Sequence, residues 1–117
     1  MENLIWLRKG ACLLAKFSGE ITMEVTQDFK HAVEQALEKD DSQALALDLS
    51  EVSFMDSSGI GFLVSCNTRL QSLGKRLVLM CPSPQVRKTL GLVQLMDFFA
   101  VAESDGDLES LTAKGGK

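Results

Sequence analysis

The stretch Ser53-Phe54-Met55-Asp56-Ser57-Ser58-Gly59-Ile60-Gly61 decides the fold of this chain, because it marks the point where a strand gives way to a helix. Before it, residues 44–49 read Ala-Leu-Ala-Leu-Asp-Leu, a pattern typical of a buried strand. After it, residues recur near helical spacing on one stripe, namely Ile60, Leu63, Val64, Asn67 and Leu70. The hydroxyls of Ser57 and Ser58 are therefore predicted to lie at a helix N-terminus.

A hydroxyl at a helix start has two alternative uses. Ser57 or Ser58 can act as the N-cap, accepting a hydrogen bond from a backbone N–H of the first turn. The same N–H groups and the positive end of the helix dipole would also hold a phosphate on that oxygen. Gly59 and Gly61 are poor helix formers, each costing about 1 kcal/mol relative to alanine, and they leave the backbone bare for another protein. Asp56 adds a fixed negative charge, so a phosphate would concentrate charge at one place.

Residues 54–61, Phe-Met-Asp-Ser-Ser-Gly-Ile-Gly, resemble the signature of the STAS domain, and in particular that of the anti-sigma-factor antagonists of bacterial partner-switching systems. The turn at 19–21 and the segments 45–49 and 77–90 are similar to the rest of the family pattern, so the resemblance covers about residues 4–111. It implies that Ser57, directly after the aspartate, is the phosphorylated serine. It also implies a partner-binding surface centred on Asp56, Ser57, Ser58, Gly59, Ile60 and Gly61, with Met23, Met55 and Phe62 as neighbours.

The chain departs from this family pattern at two positions. Thr22 stands where the antagonists often carry an aspartate, which is expected close to the phosphoacceptor. Its absence leaves open whether kinase recognition is changed. Gln94 stands where the family often has glycine, in a loop and not at the switch.

The resemblance implies a regulatory binding protein, not an enzyme, with three kinds of partner. These are a serine kinase with a histidine-kinase-like ATPase domain that is also the anti-sigma factor, a target held by that kinase, and a serine phosphatase. The unphosphorylated chain would bind the kinase, and phosphorylation of Ser57 would release it. Two alternatives stay open: a STAS scaffold or transporter-accessory subunit in which Ser57 only caps the helix, and a domain that senses a nucleotide or another anion. The final target, a sigma factor or another output, is not selected by these residues.

Intrinsic catalysis has little support in the sequence. A serine nucleophile needs a base, yet the chain has a single histidine, His31, which falls beside the apolar stripe of a predicted helix. The G-x-S-x-G elbow and the G-x-x-x-x-G-K-[ST] loop are absent, and no cluster has metal-ligand spacing. We therefore expect neither a cofactor nor a metal.

Composition indicates one ordinary globular domain. The 117 residues are 45% hydrophobic and 24% charged, which suits a single core. A formal charge of −4 disfavours nucleic-acid binding, and no apolar stretch reaches the roughly 18 residues of a membrane span. With no evident signal peptide and three widely spaced cysteines that fit reduced thiols, we expect a cytoplasmic protein that is a monomer when free. The domain is expected to occupy residues 1–113, followed by a mobile tail, 114–117.

The alternation of patterns predicts an α/β fold: a mixed, STAS-like sheet of about five strands packed with about four helices. An antiparallel hairpin turning at Lys9-Gly10 opens the chain. Strands are expected at 4–7, 12–17, 44–49, 77–80 and 98–101. Helices are expected from the Thr22 cap to Lys39, from about Ser58 to a C′ glycine at Gly74, from Ser83-Pro84 to about Gly91, and over 107–111.

Overall fold

A computed structural model describes residues 1–112 and confirms the predicted α/β class. The strands are β1 (Leu4–Lys9), β2 (Cys12–Ile21), β3 (Ala44–Met55), β4 (Arg76–Met80) and β5 (Ala100–Ala102). The helices are α1 (Met23–Lys39), α2 (Ser57–Ser72), α3 (Pro84–Leu92) and α4 (Asp105–Thr112), with a 3-10 turn at Met96–Phe98. No helix of this described part is long and apolar enough to cross a bilayer.

The sheet has the strand order β1-β2-β3-β4-β5, so neighbours in sequence are neighbours in space. β1 and β2 form the predicted antiparallel hairpin, whose tight turn places Gly10 at a φ of +62°. The other pairs are parallel and are joined by α1, α2 and α3. This connectivity brings the carboxyl ends of β2 and β3 and the N-termini of α1 and α2 to one edge of the sheet.

The main core lies between one face of the sheet and the helices α1, α2 and α3. Phe29 of α1 stacks on Phe17 of β2 with ring centroids 5.0 Å apart, and Phe62 of α2 lies 4.4 Å from Phe29 on its other side. Aromatic pairs at such distances contribute about 0.5–1.5 kcal/mol beyond their buried area. The N-terminal half of α2 is therefore packed onto α1 and β2 through these three aromatic rings.

A smaller cluster covers the opposite face of the sheet. Leu108 of α4 packs there against buried small and apolar residues of four strands, including Leu14, Ala44 and Val78. The prediction of a final helix is thus confirmed, and the helix begins at Asp105, two residues before its expected start.

Other predicted boundaries were also wrong. β1 and β2 extend to Lys9 and Ile21, past their expected ends at residues 7 and 17, so the expected turn at 19–21 is the last part of β2. β3 continues past residue 49 to Met55, because residues after Asp48 keep pairing with β2 after β4 has ended opposite them. The strand expected at 98–101 is β5, shifted to Ala100–Ala102 by its register against β4, and Phe98 belongs to the 3-10 turn. The expected tail, 114–117, and Ala113 lie outside the described residues.

Candidate functional site

The N-cap of α2 is Asp56, so the prediction that Ser57 or Ser58 caps this helix is wrong. Its carboxylate Oδ1 accepts hydrogen bonds from the backbone N–H of Ser58 at 2.9 Å and of Gly59 at 3.3 Å. Aspartate is among the preferred N-cap residues, and its charge also complements the positive end of the helix dipole. Ser57 is consequently the first residue inside the helix.

The hydroxyl of Ser57 is left unengaged by this arrangement. Its side chain is exposed, and within residues 1–112 its Oγ makes no hydrogen bond to another protein group. Ser58, one residue on, is half-buried. The sequence pattern predicts that first-turn N–H groups could hold a phosphate. The structure shows that the N–H groups of Ser58 and Gly59 are not free to do so, because both donate to the Asp56 carboxylate.

The two glycines of the first turns lie in different surroundings. Gly59 is buried, and a Cβ there would overlap Cγ of Met55 and lie 2.9 Å from its sulfur and 3.0 Å from Ile21 Cγ2. Gly61 is exposed, and a Cβ there would meet nothing within 4 Å. Between them, Ile60 packs half-buried against the core. Only Gly61 therefore leaves bare backbone for a partner, whereas Gly59 lets the helix approach β2 and β3 closely.

The turn from β2 into α1 is joined directly to this helix start. The backbone N–H of Asp56 donates to the carbonyl of Ile21 at 3.2 Å. Thr22 follows as the N-cap residue of α1, and its side chain makes no capping hydrogen bond. Met23, the next residue, is strongly exposed. Met23 thus lies beside the Ser57 site.

The second half of α3 reaches the same edge. The Thr89 hydroxyl donates to the carbonyl of Met55 at 3.4 Å, so Leu92 and Val93, about one turn further on, lie beyond the end of β3. Four exposed apolar side chains belong to the segments that meet at this edge, with relative exposures of 73% for Met23, 42% for Phe54, 76% for Leu92 and 48% for Val93. We call these four residues the apolar rim. Exposed apolar clusters of this kind are typical of protein interaction sites.

The remaining predicted neighbours lie beneath the surface. Met55 is 2% exposed and Phe62 is 5% exposed, so both side chains support the helix start from below. Phe54, Leu92 and Val93 were not among the predicted site residues. Phe54 was signalled by its place in the motif, whereas Leu92 and Val93 are brought to this edge only by the fold.

Other chemistry is sparse in the part of the chain that the structure describes. His31 is exposed on α1, and no group of three or more His, Cys, Asp or Glu residues is placed to hold a metal. Cys12 and Cys66 are buried free thiols, and burial raises the pKa of Cys66 to about 12. At neutral pH this thiol is protonated and behaves as a small apolar side chain.

The family model of the STAS domain matches residues 7–108, and the chain belongs to this family. Among its relatives, the anti-sigma-B factor antagonist of Listeria monocytogenes is 29% identical over 96 residues, which span 82% of this chain and 83% of that protein. The anti-sigma F factor antagonist of Paenibacillus polymyxa is 23% identical over 103 residues, spanning 86% and 84%.

Solved structures share the fold. Bacillus SpoIIAA, an anti-sigma factor antagonist, matches in its unphosphorylated form with a TM-score of 0.76 at 20% identity, covering 92% of this chain and 95% of that one. Its phosphorylated form gives a TM-score of 0.69 at 19% identity, covering 92% and 98%. The five-stranded mixed sheet with four helices is thus the architecture of these regulators.

Proposed function

We propose that this chain is an anti-sigma-factor antagonist whose Ser57 hydroxyl receives a phosphate from a serine kinase. The observation that carries the proposal is the exposed, unbonded Ser57 hydroxyl at the first position of α2, inside the Asp-Ser-Ser-Gly run. The relatives support it, since they are named antagonists of anti-sigma factors. SpoIIAA, which shares the fold, also exists in a phosphorylated form.

The kinase would catalyse the phosphoryl transfer to Ser57. Ser57 Oγ attacks the γ-phosphorus of ATP, the bond from that phosphorus to the bridging oxygen of ADP breaks, and a general base of the kinase takes the hydroxyl proton. This chain contributes the acceptor oxygen alone. The kinase would be of the histidine-kinase-like ATPase type and would also be the anti-sigma factor, and a serine phosphatase would reset the switch.

Binding and release would depend on charge at one surface. In the unphosphorylated state the kinase would cover Ser57, Gly61 and the apolar rim, whose burial favours association. Phosphate adds about −1.5 to −2 charges at neutral pH beside Asp56. Misplaced charge at an interface costs several kcal/mol, and each 1.4 kcal/mol is about tenfold in affinity. Phosphorylation would therefore release the kinase.

Variants of Ser57 test the proposal. Incubation with the cognate kinase and ATP is expected to add one phosphate, which peptide mapping places on Ser57. Ser57→Ala should bind the kinase as the wild type does and accept no phosphate, whereas Ser57→Asp and Ser57→Glu should bind about tenfold or more weakly by calorimetry.

A charge placed far from the site is the matched control. Ser110 is also exposed but lies on α4, so Ser110→Asp should leave the affinity unchanged. Equal affinities for wild type, Ser57→Ala and Ser57→Glu, or a phosphate found on Ser58 instead, would refute the proposed switch.

A further inference from the structure

Three helices of this fold begin at or next to a serine, and the three hydroxyls are used differently. Ser83 caps α3: its Oγ accepts from the N–H of Val86 at 3.3 Å and donates to the carbonyl of Val52 at 2.7 Å. Its side chain is buried. Ser83 is therefore engaged on both sides and closed to any other reaction. Ser104, directly before α4, is exposed, but its Oγ accepts from the N–H of Asp107 at 3.1 Å. The hydroxyl of Ser57, at the start of α2, makes no hydrogen bond within residues 1–112, because another residue caps that helix.

Asp56 is the residue that makes this difference. Its side chain holds the N–H groups of Ser58 and Gly59, and its backbone carbonyl accepts from the N–H of Gly59 at 3.0 Å. Its own N–H is tied to the carbonyl of Ile21 in the neighbouring strand at 3.2 Å. Asp56 forms none of the side-chain ion pairs found within residues 1–112. Its carboxylate is thus committed to the helix cap.

We propose that Asp56 is the positioning residue of the phosphoacceptor: by capping α2 it keeps Ser57 inside the helix, with the hydroxyl free and turned to solvent. The inference rests on the proposed function, because it takes Ser57 as the acceptor of the phosphate. It adds that the aspartate acts through its geometry as a hydrogen-bond acceptor. The kinase is not required to recognise its charge.

Removing the carboxylate would let the serine replace it. Serine is among the preferred N-cap residues, and as the cap Ser57 would accept from the N–H of Gly59 or Ile60, two or three residues on. α2 would then begin one residue later, and the Ser57 hydroxyl would be engaged as that of Ser104 is. An engaged and reoriented hydroxyl is a poorer acceptor, because phosphoryl transfer depends on alignment of the attacking oxygen.

Two variants of the full chain separate these roles. Asp56→Asn keeps a capping oxygen and removes the charge, whereas Asp56→Ala removes both. In carbon and nitrogen NMR spectra, Ser57 should show helical Cα and Cβ shifts in the wild type and in Asp56→Asn, with slow amide exchange at Ser58 and Gly59. In Asp56→Ala, Ser57 should change to the shifts of an extended N-cap residue. Helical shifts retained at Ser57 in Asp56→Ala would overturn the inference without any kinase being used.

Kinetics with the kinase give the second readout. The kcat/KM for phosphorylation should fall about tenfold or more in Asp56→Ala and stay within about threefold of the wild type in Asp56→Asn, because asparagine caps as well as aspartate. An equal loss in both variants would show that the kinase reads the charge, and no loss in either would show that the cap is irrelevant. Both results overturn the positioning role and leave the proposed function intact. Failure of the wild type to accept phosphate on Ser57 would instead refute the proposed function, and the positioning role with it.

Discussion

At the scale of single residues, Gly59 and Gly61 show how one helix turn serves packing and access together. Both are unfavourable in a helix relative to alanine by about 1 kcal/mol. Gly59 offsets this cost by letting α2 lie directly on Met55 and Ile21, where no Cβ would fit. Gly61 gains no such contact. Its exposed backbone, which no side chain covers, is accessible to a binding partner.

Alanine substitutions at the two glycines should have opposite effects. Gly59→Ala forces Met55 to move, and overpacking of this kind costs roughly 1–3 kcal/mol, more than the roughly 1 kcal/mol that alanine gains in helix propensity. Gly61→Ala should gain up to about 1 kcal/mol, because nothing opposes its Cβ. Urea unfolding of both variants measures the difference. Equal stability of the two proteins would show that Met55 adapts freely and that close packing at Gly59 is not needed.

The sequence located this helix start but not its cap, for a physical reason. Asp56, Ser57 and Ser58 are consecutive, and aspartate and serine are nearly equivalent as N-cap residues. The choice among them is made by tertiary structure, since the bond from Asp56 N–H to the Ile21 carbonyl fixes which residue ends the strand. That bond joins residues 35 positions apart, and local patterns carry no information about it.

At the scale of helices, α2 and α3 end in the same way with different residues. In α2 the N–H of Gly74 bonds the carbonyl of Gln71, and that of Lys75 bonds Leu70 at 2.8 Å. In α3 the N–H of Gln94 bonds Gly91, and that of Leu95 bonds Leu90 at 2.8 Å. Both are Schellman motifs, which need a left-handed residue at C′. Gly74 has a φ of +72° and Gln94 a φ of +59°.

Exchanging the residues at these two C′ positions should change stability in opposite directions. A left-handed conformation costs a residue with a Cβ roughly 1–2 kcal/mol, and the flexibility of glycine in the unfolded chain offsets part of the gain when that strain is removed. Gln94→Gly should therefore raise the free energy of unfolding by about 0.5–1 kcal/mol, and Gly74→Gln should lower it by about 1 kcal/mol. Thermal and urea unfolding check both. A destabilised Gln94→Gly protein would mean that the glutamine side chain makes a contribution larger than its backbone strain.

The elements that depend on local pattern were the ones predicted well. The stripe of α1 and the proline start of α3 follow from spacing and from the missing N–H of Pro84, and both were found. β3 was predicted too short, because only Val52 and Met55 are buried among residues 50–55, a spacing that resembles a loop as much as a strand. Their strand conformation is set by pairing with β2 alone, a long-range interaction. The place of Leu92 beyond the end of β3 likewise depends on how α3 packs along residues 50–55.

At the scale of the whole molecule, the Ser57 site lies away from the centre of the sheet, where β3 is paired on both sides. Residues 44–48 of β3 are paired on both sides, by β2 and by β4, and four of the five are buried. The site lies at the far end of the same strand, connected to its neighbours by the Ile21–Asp56 and Met55–Thr89 hydrogen bonds. A charge added at Ser57 should thus perturb the residues joined by these two hydrogen bonds. Elsewhere, solvent should screen the charge.

Phosphorylation should consequently act through surface charge and leave the fold intact. With phosphoserine introduced at position 57 of the full chain, amide shifts should change chiefly in residues 55–63 and 21–24 and at Thr89, while residues 44–48 stay in place. Phosphoserine at position 110, on α4, is the control and should change shifts around Asp105–Thr112 only. Large changes at position 57 that spread through residues 44–48 and all of Pro84–Leu92 would indicate an allosteric rearrangement. The electrostatic account would then be wrong even with Ser57 as the phosphorylated residue, because the released kinase would be responding to a new conformation and not to a new charge.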